Sequence, residues 1–297
     1  MYDLVILNGN VNIGDLSKSK ICNIGIRDSK ISYIGNDKIT APKIIDANGY
    51  EVTPGFIDLH THSDLSFIVD PDADSKLVQG VTFELMGNCG MSFCSPLSID
   101  NKYQLKERLN RYGVKKNMDW NNFDDWLNEI ETNTPSINVA AQIGHGNLRS
   151  YVMGMEARQA TPQEIKEMKD EIQKACDQGV LGFSTGLWYA PGSYSSAEEI
   201  IELAKTASKN NILYSSHIRS ESDDSSGLFP AHAEAIEIAR RSDVRVQISH
   251  VKSVGPKFWG RGYELIEGIE KARNESCLLY TSPSPRDRTR SRMPSSA

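Results

Sequence analysis

Five residues of this 297-residue chain could together hold a transition metal. They are His60 and His62 in a His-Thr-His triplet, Cys89 in GNCGMS, His217 in YSSHIRSE and His250 in VQISHVKS. Imidazole nitrogen and thiolate sulfur are donors that suit zinc, and a site with three protein ligands leaves a position for water. Each residue also has a bland reading. His60 and His62 could be ordinary polar strand residues, and Cys89 could simply pack, because free cysteine is among the most buried residue types. His217 and His250 each end an apolar run, where an imidazole could merely satisfy a backbone carbonyl. Their joint placement favours the metal, since all five fall near the carboxyl ends of four apolar runs.

Such donors need a scaffold that gathers strand ends. Residues 1–53 read as short strands, LVILNGNV, CNIGIRDSKISYIG and KIIDANGYEV, alternating apolar and polar side chains between Gly, Asn and Asp turns. That pattern predicts a half-buried antiparallel sheet. From residue 54 onward, apolar runs alternate with amphipathic segments, which predicts βα units and a parallel sheet. Strands are expected at 55–62, 82–89, 138–145, 181–187, 212–218 and 246–252. Thr161-Pro162-Gln163-Glu164 reads as a capping box ahead of a helix that Gly179 would close, and Ser196-Ala197-Glu198-Glu199 opens the next helix in the same way. The segment 101–133, with FDDWLNEIE, reads as an inserted helical excursion.

Six βα units over 54–276 predict an α/β protein: an incomplete (β/α)8 TIM barrel. A doubly wound sheet fits less well, because no Gly-rich phosphate turn follows the first strand. In a barrel the carboxyl ends of all strands meet at one face. Residues two apart on a strand share a side, so the same reading aims both His60 and His62 at the barrel axis.

The composition is that of an ordinary globular protein, 39% hydrophobic and 24% charged with a net charge of −6. It excludes collagen-like and disulfide-dense classes. A net negative chain is a poor partner for nucleic acid or acidic membranes, both of which demand clustered Lys and Arg. An odd number of scattered cysteines and the lack of a signal-like N-terminus or a long apolar run predict a cytoplasmic protein. Residues 277–297 change abruptly to a Ser-, Pro- and Arg-rich string that resembles the conceptual translation of a sequencing adapter. They are expected to be a non-native, disordered tail, with the natural chain cut short near Glu275.

The motifs TPGFIDLHTHSD, GNCGMSFCSP, IGHGNLR, GFSTGLWYAPGSY, SSHIRSESD and QISHVKSVG resemble the successive barrel motifs of the D-aminoacylase (N-acyl-D-amino-acid deacylase) family of the amidohydrolase superfamily. The likeness runs from the N-terminal strands to about Glu275. It implies a barrel and a small β-sandwich built from both chain ends, and a zinc-dependent hydrolase that frees a D-amino acid and a carboxylate from a small N-acyl substrate. By this resemblance Cys89, His217 and His250 hold a tight zinc ion, and His60 and His62 belong to a second, weaker position. Cys89 takes the place of the carboxylated lysine that most binuclear relatives carry on the fourth strand, where LGFSTGL has none.

Zinc draws the pKa of its water toward about 7 and polarises the amide carbonyl, and a carboxylate must then move the proton to the leaving amine. In the family an aspartate of the eighth strand does this. No such residue is expected in this chain, and Asp58 and Asp64 read instead as supports of the histidines or as surface groups. Lys252, and after it Arg219, are candidates to meet the substrate α-carboxylate, with a rim salt bridge as the alternative for each. Tyr189 either lines the pocket and helps bind the oxyanion, or packs. His145 is expected to be structural or to support the metal ligands from behind, His232 to face solvent, and Cys22, Cys94 and Cys176 to pack or be inert. Two other readings stay open: a cyclic-amide hydrolase of the hydantoinase or dihydroorotase kind, which the missing lysine disfavours, and a metal-binding fragment without activity.

Overall fold

The computed structural model describes residues 1–275 apart from residues 16, 95, 117, 119 and 225, together with Leu279–Thr281. The chain divides into two compact units, Met1–Phe56 and Ile57–Ala297.

In the first unit, β1 (Leu4–Val11), β2 (Lys20–Arg27), β3 (Lys30–Gly35), β4 (Lys43–Asp46) and β5 (Glu51–Val52) form one sheet in the order β3-β2-β1-β4, with β5 also on β1. The pairs β1–β2 and β2–β3 are antiparallel, as the alternation predicts. The pairs β1–β4 and β1–β5 are parallel. The purely antiparallel expectation is corrected there: the chain crosses back after β3 and lays β4 on the free side of β1. One sheet is described here, burying Val5, Val11 and Ile24, while Ile21, Ile31 and Ile44 are exposed.

The second unit alternates strands with helices. Its elements are β6 (Phe56–Asp58), the short α1 (Ser66–Val69) and α2 (Asp74–Leu77), β7 (Val81–Met86), α3 (Ile99–Arg111), α4 (Phe123–Thr132), β8 (Asn138–Gly144), α5 (His145–Met153), α6 (Pro162–Asp177), β9 (Gly182–Gly186), α7 (Ala197–Lys209), β10 (Leu213–His217), α8 (Leu228–Ser242), β11 (Val246–Ile248), α9 (Gly262–Asn274) and β12 (Leu279–Thr281). The seven strands lie in sequence order across one sheet, and the pairings from β7 to β12 are parallel. The helical excursion at 101–133 is α3 and α4. Disorder expected over 277–297 is not what Leu279–Thr281 shows: this short segment, with Leu279 buried, pairs in parallel with the edge offered by β11. Residues 276–278 and 282–297 lie outside the described residues.

The sheet curls. β6 and β11 are five strand-to-strand steps apart, which in a flat sheet would set them about 24 Å from one another. Yet the His60 and His250 rings, just beyond the ends of these two strands, have centroids 5.0 Å apart. A curled parallel sheet is half of a barrel wall, with its carboxyl ends drawn to one place.

Helix starts follow the local signals. Thr161 and Glu164 form the reciprocal capping box, and α6 buries Met168, Ile172 and Ala175 at helical spacing. At α7, Ser196 caps the helix through the Glu199 N–H, but the Glu199 carboxylate turns inward. It accepts from His145 Nε2 at 2.8 Å and from Arg149 Nη1 at 2.6 Å, two buried donors, one of them charged, that take the place of the Ser196 N–H. His145 is thus tied to Glu199 at the start of α7. His232 is not the solvent-facing residue the sequence suggested: it is 4% exposed on the inner face of α8, because its neighbours Ala231, Ala235 and Ile236 make that face apolar. No helix among the described residues is long and apolar enough to cross a membrane.

Burial drives the His232 pKa down from 6.5 to about 4, against a smaller upward pull from Glu221. The unfolded chain takes up this proton as pH falls through 6.5, and the folded chain only near 4, so stability is lost across that window. His232→Leu is expected to lose roughly 3 kcal/mol less than the unaltered protein between pH 7 and pH 4, as read by denaturant unfolding at the two pH values. An equal loss in both proteins would refute the burial argument.

Candidate metal centre

The five donors converge. Cys89 Sγ lies 3.3 Å from His60 Nε2 and 3.5 Å from His250 Nε2. The donor atoms of His60, His62 and Cys89 all lie within 4.8 Å of one another, and so do those of Cys89, His217 and His250. Cys89 therefore belongs to both groups of three. The His217 and His250 rings are 4.6 Å apart between centroids, and those of His60 and His62 are 5.7 Å apart.

The strands are shorter than the apolar runs suggested, which changes how the ligands are presented. Only His217 is itself a strand residue. β6 ends at Asp58, so His60 and His62 are not aligned by strand alternation. They sit in a loop, His60 buried and His62 exposed, that Thr61 fastens to Leu85 of β7 through its N–H and hydroxyl, each at 3.3 Å. Cys89 (φ 56°) and His250 (φ 37°) both adopt the left-handed backbone region, an unfavourable choice for a residue with a Cβ. Gly87 and Gly90, also at positive φ, flank the cysteine; a Cβ on Gly90 would lie 2.5 Å from the Gly186 nitrogen, and one on Gly87 would collide with the Gln142 carbonyl.

The electrostatics leave nitrogen lone pairs available. Burial above all, then the neighbouring histidines and Lys252, holds the His60 pKa down at about 2. His217 falls to about 3, again chiefly by burial, with Glu221 pulling it back upward. His217 Nε2 is buried without a hydrogen-bond partner. A buried, unsatisfied imidazole nitrogen beside a thiol and further imidazoles is what an N/S-coordinated divalent ion satisfies, and the donor set suits zinc.

Glu221 carries no sequence signal beyond being a carboxylate four residues past His217, and sequence reasoning missed it. It is 2% exposed and lies 2.7 Å from both His250 Nδ1 and Lys252 Nζ. Burial alone would raise its pKa, but those two contacts and the charges around it bring it to about 2. An ionised carboxylate only accepts, so it fixes the proton on Nδ1 and turns the Nε2 lone pair of His250 toward Cys89. A search for the partner that a metal-binding imidazole requires would have led to it.

Lys252 is thus beside the cluster, bonded to Glu221. Arg219 is held apart by three bonds to Glu234, at 2.8, 2.9 and 3.2 Å, and one to the Ser193 carbonyl at 3.2 Å. The Tyr189 hydroxyl donates to the Cys89 carbonyl, and its ring centroid is 5.2 Å from that of His217. Asp58 accepts from the His60 N–H at 3.1 Å and pairs with Lys76 at 3.3 Å. Asp64 is buried, which raises its pKa to about 6 although backbone N–H groups of Gly87, Asp64 and Phe93 pull it down. The Cys94 and Cys176 thiols are pushed by burial to about 12 and about 11, so they stay protonated. A cavity of about 1100 Å³ opens beside His60 and His62, lined also by Asp58, Asp64, Lys76 and Arg108.

A curled parallel sheet with nitrogen and sulfur donors gathered at its carboxyl ends is the arrangement of a metal-dependent amidohydrolase. The amidohydrolase family profile matches residues 43–242, and the chain belongs to that family. It is 34% identical to a D-aminoacylase of Alcaligenes xylosoxydans xylosoxydans over 272 residues, 91% of this chain and 55% of the relative. Among solved structures it resembles N-acyl-D-glutamate deacylase from Bordetella bronchiseptica complexed with zinc and a phosphonate inhibitor, with TM-score 0.84 and 33% identity over 96% of this chain and 58% of the other. It also resembles a D-aminoacylase described by its binuclear metal centre, with TM-score 0.85 and 32% identity over 96% and 59% of the two chains. The chain spans about half the length of the curated relatives it matches.

Glu221→Gln is expected to weaken zinc binding on the order of 10- to 100-fold, the range for losing a group that orients a ligand. Competition with a chromogenic chelator measures it, and an unchanged affinity would remove Glu221 from the site.

Proposed function

We propose that this sequence is part of a metal-dependent (β/α)8-barrel hydrolase that deacylates N-acyl-D-amino acids, releasing a carboxylate and the free D-amino acid. The observation that carries the reading is the Cys89 sulfur, shared by His217 and His250 on one side and by His60 and His62 on the other. Cys89, His217 and His250 would hold one Zn²⁺ ion, and His60, His62 and the same sulfur a second. When bound, zinc supplies Lewis-acid polarisation of an amide carbonyl and acidification of water.

The chain's own residues orient the donors and line the site. Glu221 orients His250. Lys252, its side chain 36% exposed, keeps enough freedom to meet an α-carboxylate while anchored on Glu221. Arg219 fits the rim better, since Glu234 occupies its guanidinium. Tyr189 supports Cys89 through its carbonyl, and could serve an oxyanion only by giving up that bond. Neither Asp58, paired with Lys76, nor Asp64, wrapped by backbone N–H groups, is assigned the proton transfer. The cavity beside His60 and His62 admits a small N-acyl amino acid. The absence of lysine from β9, which reads Gly-Phe-Ser-Thr-Gly, favours this family's linear substrates over cyclic amides.

Two measurements test this. Zinc is expected to survive dialysis of the purified protein and to be lost in Cys89→Ala; retention in that variant would overturn the ligand set. In the whole enzyme proposed above, hydrolysis of N-acetyl-D-amino acids is expected to exceed that of the L-enantiomers and of dihydrouracil, and turnover of dihydrouracil alone would replace this reading with cyclic-amide hydrolysis.

A further inference from the structure

The Cys89 turn is held by a residue of another strand that is not itself a donor. Ser184, in the middle of β9 and fully buried, bonds both ends of the four-residue segment that carries the thiol. Its Oγ accepts from the Gly90 N–H at 3.0 Å and donates to the Gly87 carbonyl at 2.5 Å. Three of the four residues between those contacts, Gly87, Cys89 and Gly90, have positive φ. A cysteine in the left-handed region is disfavoured by the clash of its Cβ with the following carbonyl oxygen, and such a conformation persists only where its surroundings fix it.

Other restraints each hold one point of the turn: the Gly87 N–H is bonded to the Asp64 carboxylate, and the Asn88 side chain donates to the Leu85 carbonyl at 2.9 Å and accepts from the Gln142 amide at 2.9 Å. Gly146 N–H reaches the Gly90 carbonyl at 2.9 Å, the Asn147 side chain accepts from Ser92 N–H at 2.7 Å, and Tyr189 reaches the Cys89 carbonyl. Ser184 alone among these clasps Gly87 and Gly90 together. The direction of the Cys89 Cα–Cβ bond is set by the backbone between them, and with it the approach of Sγ to His60 Nε2 and His250 Nε2.

We propose that Ser184 is a positioning residue for the metal centre: its hydroxyl locks the Gly87–Gly90 turn so that one sulfur serves both groups of donors. This rests on the metal-binding reading above. Because the serine sits on β9, beside β10 and two strands from β7, and bonds backbone groups of the Cys89 turn in place of a donor atom, removing its hydroxyl alters where the sulfur sits while the donor inventory stays complete.

Ser184→Thr and Ser184→Val test this as a pair of nearly equal volume that differ in the hydroxyl, so packing disturbance is common to both. Zinc affinity is measured by chelator competition, and the thiolate-to-cobalt charge-transfer absorption is recorded after Co²⁺ loading of the full chain. The Val variant is expected to bind zinc on the order of 10- to 100-fold more weakly than the Thr variant, with a diminished or shifted thiolate band. The Thr variant should resemble the unaltered protein in both. A Val variant that melts at lower temperature yet matches the Thr variant in affinity and band would overturn the proposal and leave Ser184 a packing residue. Should the unaltered protein itself show no thiolate band with Co²⁺, the metal-centre reading fails and takes this inference with it; a band in the unaltered protein that both variants keep sinks only the inference.

Discussion

A thiol packed between imidazole nitrogens, out of reach of bulk water, is the interaction on which the second unit depends. Burial keeps His60 and His217 neutral far below ordinary histidine pKa values, so their lone pairs remain unprotonated and, at His217 Nε2, unpaired. Polar atoms are not left in that condition in a packed interior without a reason. A divalent ion would supply, at His217 Nε2, the partner that is missing there among the described residues.

Holding that arrangement requires structure at two scales. The curl of the parallel sheet brings loops from β6, β7, β10 and β11 to one point, and no local feature could do so. Within those loops, the ligands sit on backbone that has left strand geometry, and a set of hydrogen bonds keeps it there: Asp58 to the His60 N–H, Thr61 to Leu85, Ser184 across the Cys89 turn, and Glu221 behind His250. The supporting groups come mostly from elements other than the ones whose ligands they hold, so the site is a property of the sheet and of no single motif.

Much of this was legible in the sequence, and the illegible part has physical causes. The alternation of strands and helices, the capping box at Thr161 and the donor residues follow from period, cap chemistry and ligand type, all of which are local. The strand ends were placed too late because an apolar run continues past the last ladder bond: HTH and NCG look like strand termini while their backbone has already turned. The inward rotation of Glu199 and the burial of His232 depend on which helix packs against which, and nothing in SAEE or AHAE reports it. Glu221 and Ser184 escaped for the same reason. A glutamate and a serine have no signature until the partner that needs them, separated from them in sequence by 29 and 94 residues respectively, is brought alongside.

The sharing of one sulfur across the curled sheet also bears on how the chain reaches its native state. Cys89 and His250 are 161 positions apart, so their meeting closes a very long loop and comes after most of the intervening strands have found their places. A cation that bridges them acts as a late rivet: it adds nothing to a partly assembled sheet, and its binding free energy stabilises only the completed curl. Depletion of the metal would therefore loosen the seam between the earliest and latest strands of the site before it disturbed the helices around it.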